Sequence, residues 1–202
     1  MSMNGFLIPG GGSDLSPSAR AMVERAVKAH DAGDYFPVWG TCLGFEWLVD
    51  TFGGVGAIVA GFDAEALPLP LTFTPSMNES RVYKNASASL RHALETQAIT
   101  YNAHTSGITP LSFASNTKLV ATFSVLSTSI DRKGKAFVAQ IEGKNGLPIY
   151  GNQFHPEKIE FVKDKPGEGD IPRTKTAIAA ARELAAFFVS EAAKNKHVVT
   201  TL

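Results

Sequence analysis

The sequence predicts an α/β fold, with an open, mostly parallel sheet flanked by helices and an added antiparallel hairpin. Apolar runs at residues 5–9 and 35–39 enclose a helical pattern, and this order is typical of parallel strands joined by a right-handed crossover. Further on, residues 120–130 and 136–142 carry β-branched side chains on both sides of residues 131–135. The intervening sequence, DRKGK, is typical of a hairpin turn.

The first strand and helix have clear boundaries. The apolar run at residues 5–9 stops at three glycines, residues 10–12, as a buried strand does on reaching a loop. Ser16 is a suitable helix cap, Pro17 suits the first helical position, and Gly33 ends the pattern.

A second strand and helix follow, joined by a sharp turn. The strand is expected at residues 35–39, although Pro37 disfavours regular pairing there. Residues 40–44 form the turn, and the apolar stretch at residues 45–52 predicts a helix.

The carboxyl-terminal half is expected to complete the same domain, which spans residues 1–202. Residues 148–154 predict another strand, and residues 163–172, rich in Gly, Pro and charge, predict a surface loop. Residues 174–194 predict an amphipathic helix packed on the sheet. Its apolar face comprises Ile178, Ala181, Leu184, Ala185 and Phe188.

Composition excludes several classes of function. Nineteen basic residues balance nineteen acidic residues, so no net field attracts a polyanion, and nucleic acid is not an expected partner. The longest uncharged apolar run, residues 51–62, contains four glycines and is too short to span a membrane. Cys42 is the single cysteine, which excludes an internal disulfide and a cysteine zinc site.

The turn at residues 40–44 reads Gly-Thr-Cys-Leu-Gly and places Cys42 between a strand and a helix. Small residues on each side relieve a strained backbone, and such a turn exposes the sulfur. The positive end of the helix dipole favours a thiolate, so the pattern predicts a nucleophile. The alternative is that Cys42 is a small buried hydrophobic residue, which is the commonest fate of a lone cysteine.

Two backbone amides are candidates for an oxyanion hole. The N–H of Leu43 follows the nucleophile directly and is expected to face the developing oxyanion. The second donor is expected from the glycines at residues 10–12, with Gly11 favoured, because missing side chains let the backbone approach a ligand. On their own, three glycines after a strand are usually a flexible turn.

A histidine and a carboxylate follow the late strand. His155 is expected to act as the base, and Glu157 to accept its other ring N–H and fix its tautomer. Alone, this pattern is more typical of a surface loop. The glycine turn, the cysteine turn and the His-Pro-Glu sequence, each at a strand end and in this order, together favour a catalytic site.

These residues also match a known family. Residues 9–11, 40–44 and 155–157, in this order, resemble the class I glutamine amidotransferases. Residues 34–46 look specifically like the γ-glutamyl hydrolases. Similar segments extend the resemblance over nearly the whole chain: residues 68–73, 150–158 and 185–192.

The resemblance implies a flavodoxin-like, glutamine amidotransferase-like fold and a cysteine hydrolase that forms a thioester, without a metal or organic cofactor. The implied substrates are γ-glutamyl amides, including the poly-γ-glutamate tails of folates. A glutaminase usually has glutamine where this chain has Glu46, which favours hydrolysis over ammonia delivery to a synthase. Gly10, Glu46 and His104 are the implied substrate-binding residues, although His104 also fits an ordinary loop histidine.

Members of the family carry a strand, a helix and a second strand ahead of the counterpart of Gly5, and this chain is expected to lack them. Such a loss would leave an unpaired sheet edge that is prone to association. Two alternatives therefore stay open: a non-catalytic domain that oligomerises, for example as a homodimer, and the glutaminase half of an amidotransferase.

The resemblance implies a location in lysosomes, in vacuoles or outside the cell. Residues 1–5 lack the features of a signal peptide, so the sequence leaves the location unknown.

Overall fold

The computed structural model describes residues 3–163, 169 and 171–198. The strands in this part of the chain are β1 (Phe6–Ile8), β2 (Val38–Thr41), β3 (Val59–Leu69), β4 (Thr72–Phe73), β5 (Thr100–Gly107), β6 (Phe123–Ile130), β7 (Ala136–Gly143) and β8 (Ile149–Asn152). The helices are α1 (Pro17–Asp31), α2 (Leu43–Gly53), α3 (Ala88–Thr96), α4 (Pro110–Ser115), α5 (Thr117–Thr122), α6 (Pro156–Phe161) and α7 (Lys175–Ala192), with a short 3-10 helix at Pro75–Glu79.

The main sheet has six strands in the order β1-β2-β8-β7-β6-β4. Strands β1, β2 and β8 run parallel, and β7, β6 and β4 continue the sheet in antiparallel pairings. The predicted α/β fold, with parallel strands, flanking helices and an added hairpin, is confirmed. Because the carboxyl ends of the parallel strands share one edge, Ile8, Thr41 and Asn152 bring the following loops together there.

Local sequence signals fix the first elements. The Ser16 hydroxyl accepts a hydrogen bond from the N–H of Ala19, so it caps α1 as predicted. Strand β2 starts at Val38, three residues later than the prediction, directly after Pro37, which has no N–H to donate to a ladder. The helix predicted after the cysteine turn is α2, which extends the expected range by two residues at its start.

The predicted hairpin is formed by β6 and β7. The carboxylate of Asp131 accepts hydrogen bonds from the N–H groups of Lys133 and Lys135, at 2.9 and 2.8 Å, which closes the turn. The expected strand was three residues too long at its start, because Asn116 caps α5 by accepting from Leu119 N–H and residues 120–122 complete that helix.

A second sheet, the antiparallel pair β3 and β5, was not predicted. Its register shifts twice, and β3 contains Gly61 and Ala66 at positive φ, so no regular alternation is visible in the sequence. The pair matters to the site, because β5 carries Ala103 and His104 to the edge where the parallel strands end.

Hydrophobic clusters cover both faces of the main sheet. Helix α7 packs into one of them, as predicted. Part of the preceding loop, predicted at residues 163–172, lies outside the described residues. In the described part of the chain, no helix is long and apolar enough to cross a membrane.

The two glycines of the cysteine turn allow direct backbone packing. A Cβ at Gly44 would lie 2.2 Å from the carbonyl oxygen of Ile8, and one at Gly40 would lie 2.5 Å from the carbonyl oxygen of Gly44. Both contacts are impossible for a side chain, so glycine alone lets α2 start against β1 and β2. This close approach sets the position of Cys42.

Candidate active site

Cys42 occupies the turn between β2 and α2 with φ 51° and ψ −106°. This is a sparsely populated conformation for a residue with a side chain, and such strain often marks functional sites. Its N–H donates to the carbonyl of Asn152 at 2.7 Å, and its carbonyl accepts from the N–H of Glu46 at 2.9 Å. The backbone is therefore held on both sides, by β8 and by the first turn of α2.

The thiol of Cys42 is buried, and burial raises its pKa to about 12. The nearby carboxylate of Glu46 adds to this effect, and the backbone N–H of Leu43 opposes it. The start of α2 favours the thiolate, as predicted, through the N–H of Leu43, but desolvation outweighs this effect. At neutral pH the sulfur carries its proton and needs a base.

His155 follows β8 and occupies the N-cap position directly before α6. Its N–H donates to the carbonyl of Tyr101 at 2.7 Å, and its Nδ1 lies 2.6 Å from Oε1 of Glu157. With the Nδ1 proton donated to this carboxylate, Nε2 is left unprotonated and able to accept a proton. The imidazole is buried, whereas the Glu157 carboxylate is about half exposed.

Cys42 and His155 border the same small space beside Gly10. A Cβ built on Gly10 would lie 2.5 Å from Cε1 of His155 and 3.5 Å from the Cβ of Cys42. The two side chains, more than a hundred positions apart in the chain, therefore both lie beside Gly10 at one edge of the sheet.

Within the described residues, Cys42 Sγ makes one weak hydrogen bond, to the carbonyl of Ala103 at 3.9 Å, and none to His155. Catalytic hydrogen bonds often form fully only when a substrate is bound.

A cleft of about 590 Å³ opens beside the sulfur. Its lining residues are Gly11, Gly12, Ser13, Asp14, Cys42, Leu43, Glu46, Glu65, Ala103, His104, Thr105 and Ser106. Gly11 lies against Leu43, since a Cβ on Gly11 would be 3.3 Å from a methyl group of Leu43. Among the described residues, no three His, Cys, Asp or Glu side chains group closely enough to hold a metal ion.

Glu46 has a partner that sequence reasoning missed. Gln153 is fully buried, and its Nε2 donates to Oε1 of Glu46 at 2.9 Å. Burial raises the pKa of Glu46, and this hydrogen bond opposes the shift. The sequence does show a carboxylate near the start of α2, and such a group requires a hydrogen-bond donor once the fold partly buries it. Nothing in the sequence identifies Gln153 as that donor.

His104 lines the cleft and is 3% exposed. Its ring lies 4.7 Å from that of Phe137, and its Nδ1 lies 2.8 Å from the carbonyl oxygen of Ser106. A carbonyl only accepts, so Nδ1 carries the proton. Nε2 is then an acceptor, and it has no partner among the residues that the structure describes. Burial lowers the pKa of His104 to about 4.

This shift makes the stability of the fold depend on pH. In the unfolded chain the pKa of His104 is near 6.5. Between pH 6.5 and 4, His104 is therefore protonated in the unfolded state and neutral in the folded state. We expect the free energy of unfolding to fall as the pH drops from 6.5 towards 4, with His104 contributing up to about 3 kcal/mol of that loss.

Chemical denaturation across this pH range measures the effect. The matched variant is His104→Asn, whose amide can still donate to the carbonyl of Ser106 but does not titrate. Its stability should fall less steeply between pH 6.5 and 4 than that of the unmodified protein, and equal slopes would contradict the assignment.

Fold and site thus define an α/β protein with a strand–cysteine–helix turn, a histidine–glutamate pair and an acidic cleft at the carboxyl ends of parallel strands. Residues 1–166 match the family model of the class I glutamine amidotransferases, and the chain belongs to that family. Two solved structures share the fold at 15% sequence identity. A putative GMP synthase component from Thermoplasma acidophilum matches with a TM-score of 0.53, over 95% of this chain and 73% of the other. A glutamine amidotransferase from Thermotoga maritima matches with a TM-score of 0.50, over 92% and 75%.

More specifically, the chain is similar to proteins named γ-glutamyl hydrolase. The human (Homo sapiens) protein is 39% identical over 202 residues, and the mouse (Mus musculus) protein is 37% identical over 201 residues. Each match covers 97% of this chain and 62% of the relative. Gamma-glutamyl hydrolase 1 of Arabidopsis thaliana is 33% identical over 197 residues, covering 96% of this chain and 56% of the relative. The chain therefore spans less than two thirds of the length of these curated relatives.

Proposed function

We propose that this chain hydrolyses γ-glutamyl amide bonds, with Cys42 as the nucleophile and His155 as the proton carrier. The observation that carries the proposal is the shared space beside Gly10, which both side chains border, together with the Glu157 hydrogen bond to Nδ1 of His155. The choice of the γ-glutamyl bond as the one that is cut rests on the names of the similar proteins.

In the first half of the reaction, the Cys42 sulfur attacks the γ-carbonyl carbon while Nε2 of His155 takes the thiol proton. Because burial raises the pKa of this thiol, the sulfur needs His155 to accept its proton. The resulting oxyanion faces the N–H groups of Leu43 and Gly11. His155 then gives its proton to the departing nitrogen, the amine leaves, and a γ-glutamyl thioester remains on the sulfur.

In the second half, water attacks the thioester carbon and His155 takes its proton. The tetrahedral intermediate collapses, the glutamate product leaves, and the sulfur regains its proton from His155. Glu157 has a positioning role, because its carboxylate stabilises the imidazolium that forms in both halves. No step of this cycle requires a metal or an organic cofactor.

The direct test is an assay of glutamate release from poly-γ-glutamyl folates, the substrates that the resemblance implies, and from a short γ-glutamyl peptide. The matched control is the peptide of the same composition with an α-glutamyl bond. Release from the γ-linked compounds alone supports the proposal, whereas cleavage of neither, or of both equally, would contradict it. Glutamine belongs in the same assay, and faster hydrolysis of glutamine than of every γ-glutamyl peptide would instead favour the glutaminase alternative.

A second candidate function is association through the edge of the main sheet. Strand β1 is the terminal strand, and a groove of about 450 Å³ lies beside it. Three large apolar side chains of this groove are exposed: Leu7 by 51%, Phe161 by 77% and Val189 by 66%. Analytical ultracentrifugation with a thermal melt tests this candidate, because a monomer that unfolds cooperatively would contradict it and a defined oligomer would support it.

A further inference from the structure

Hydrogen bonds of two kinds join the segment that leads to His155 with the turn that carries Cys42. The first is between backbone groups, because the carbonyl of Asn152 accepts from the N–H of Cys42 at 2.7 Å. The second is between side chains, because Nε2 of Gln153 donates to Oε1 of Glu46 at 2.9 Å. Glu46 lies in the first turn of α2, and its N–H donates to the carbonyl of Cys42. The nucleophile and the base are therefore linked through side chains as well as through the sheet.

Gln153 makes this contact from a fully buried position. Its backbone N–H donates to the carbonyl of Ala139 on β7 at 2.9 Å, which fixes the main chain. Within the described residues, the bond to Glu46 is the single hydrogen bond of the Gln153 side chain, since Oε1 has no partner there. A buried amide with one polar atom unpaired costs stability, so packing alone does not explain this residue.

Glu46 carries the effect of this contact to the cleft, which its side chain lines next to Cys42. Burial raises the pKa of Glu46, whereas the hydrogen bond from Gln153 and the charge of His155 lower it. Gln153 therefore favours the carboxylate form of Glu46. This anion in turn favours the imidazolium that His155 forms during the proposed reaction.

We propose that Gln153 is a positioning residue whose hydrogen bond to Glu46 holds the segment that carries His155 against helix α2. This inference rests on the proposed function and names a further residue that its reaction needs. Gln153 does not line the cleft, so it acts on the substrate only through Glu46 and through the place of His155. Loss of the amide is therefore expected to lower kcat more than it raises KM.

The experiment compares Gln153→Leu with Gln153→Glu, with a poly-γ-glutamyl folate as the substrate. Leucine has a similar volume but no donor, so kcat should fall by about tenfold or more. A carboxylic acid has the shape of the amide, and while it holds its proton it donates to Glu46 as the amide does. Gln153→Glu should therefore keep the function of Gln153 at acid pH and lose it at alkaline pH.

The expected pH dependence follows from the charge of the pair. Two carboxyl groups in contact share one proton, which they release at a raised pKa because both ionise side by side only at a cost. At about pH 5 the pair carries one negative charge, as in the unmodified protein, and kcat of Gln153→Glu should be close to that of the unmodified protein. Towards about pH 8 it should fall to the level of Gln153→Leu.

The ratio of kcat between variant and unmodified protein removes the effect of other titrating groups, which are the same in all the variants. Apart from Cys42, the titratable groups around Glu46 are Asp50 on α2, Asp14, Glu65, His104, His155 and Glu157. Gln97→Glu is the matched control, because it makes the same change at an exposed position directly after α3. Its ratio should stay near one at every pH.

Unchanged kcat in a folded Gln153→Leu protein would overturn this inference and leave the proposed function standing. So would a ratio for Gln153→Glu that does not vary with pH, and this second measurement decides alone if a thermal melt shows that Gln153→Leu does not fold. The absence of cleavage by the unmodified protein would overturn both the inference and the proposed function.

Discussion

Replacing Cys42 with alanine is expected to abolish hydrolysis of γ-glutamyl amides, with kcat/KM reduced by about 10³-fold or more. The proposed reaction forms a covalent bond to the sulfur, and no other cysteine exists in the chain to replace it. Alanine fills nearly the same space and meets the same backbone strain at φ 51°, so the fold should survive. The measurement is glutamate release under saturating and subsaturating substrate.

Two further measurements separate lost chemistry from lost structure. The melting temperature of the alanine variant should stay close to that of the unmodified protein. Mass spectrometry after an acid quench should detect a γ-glutamyl adduct on the cysteine-containing peptide of the unmodified protein and none on the variant. Turnover by a folded Cys42→Ala protein at a rate near the original would refute the assignment of the nucleophile.

Short sequence patterns, such as helix caps and hairpin turns, predicted part of the fold. Helix α1 was predicted because its start carries two adjacent sequence signals, a capping residue at Ser16 and a proline at the first helical position. The β3–β5 pair was missed because its register shifts and its positive-φ residues interrupt the alternation of apolar and polar side chains by which a strand is recognised in a sequence. Its pairing depends on contacts between segments forty residues apart, such as Ala64 with His104, which no local pattern contains.

The sequence predicted which residues form the candidate site. It did not predict the burial, hydrogen-bond partners and pKa values of those residues. The order of the motifs indicated Cys42 and His155, because each follows a strand whose carboxyl end reaches the same edge. The state of the thiol was not predictable, since its pKa depends on burial and on the carboxylate of Glu46, both of which arise from tertiary packing. Likewise, the Gln153 partner of Glu46 comes from the loop after β8, 107 positions along the chain.

Gly10→Ala is expected to reduce kcat/KM by on the order of 10² to 10³-fold while changing stability little. An added Cβ would lie 2.5 Å from Cε1 and 3.3 Å from Nδ1 of His155, so the imidazole has to move. Its hydrogen bond to Glu157, now 2.6 Å long, would then weaken or break, and the imidazole would leave the space beside Gly10 that Cys42 also borders. Gly10 lies outside any helix or strand and does not have a positive φ, so alanine adds no backbone strain there.

The neighbouring Gly12 supplies the matched control. A Cβ on Gly12 meets no atom within 4 Å, and its φ also permits alanine, so Gly12→Ala should retain nearly full activity. Kinetics of the two variants, with a thermal melt of each, therefore separate displacement of the His155 ring from a general stiffening of the glycine loop. Equal loss in both variants would mean that loop flexibility is what the reaction needs. Full activity of a folded Gly10→Ala protein would mean that His155 does not act from the position it occupies beside Gly10.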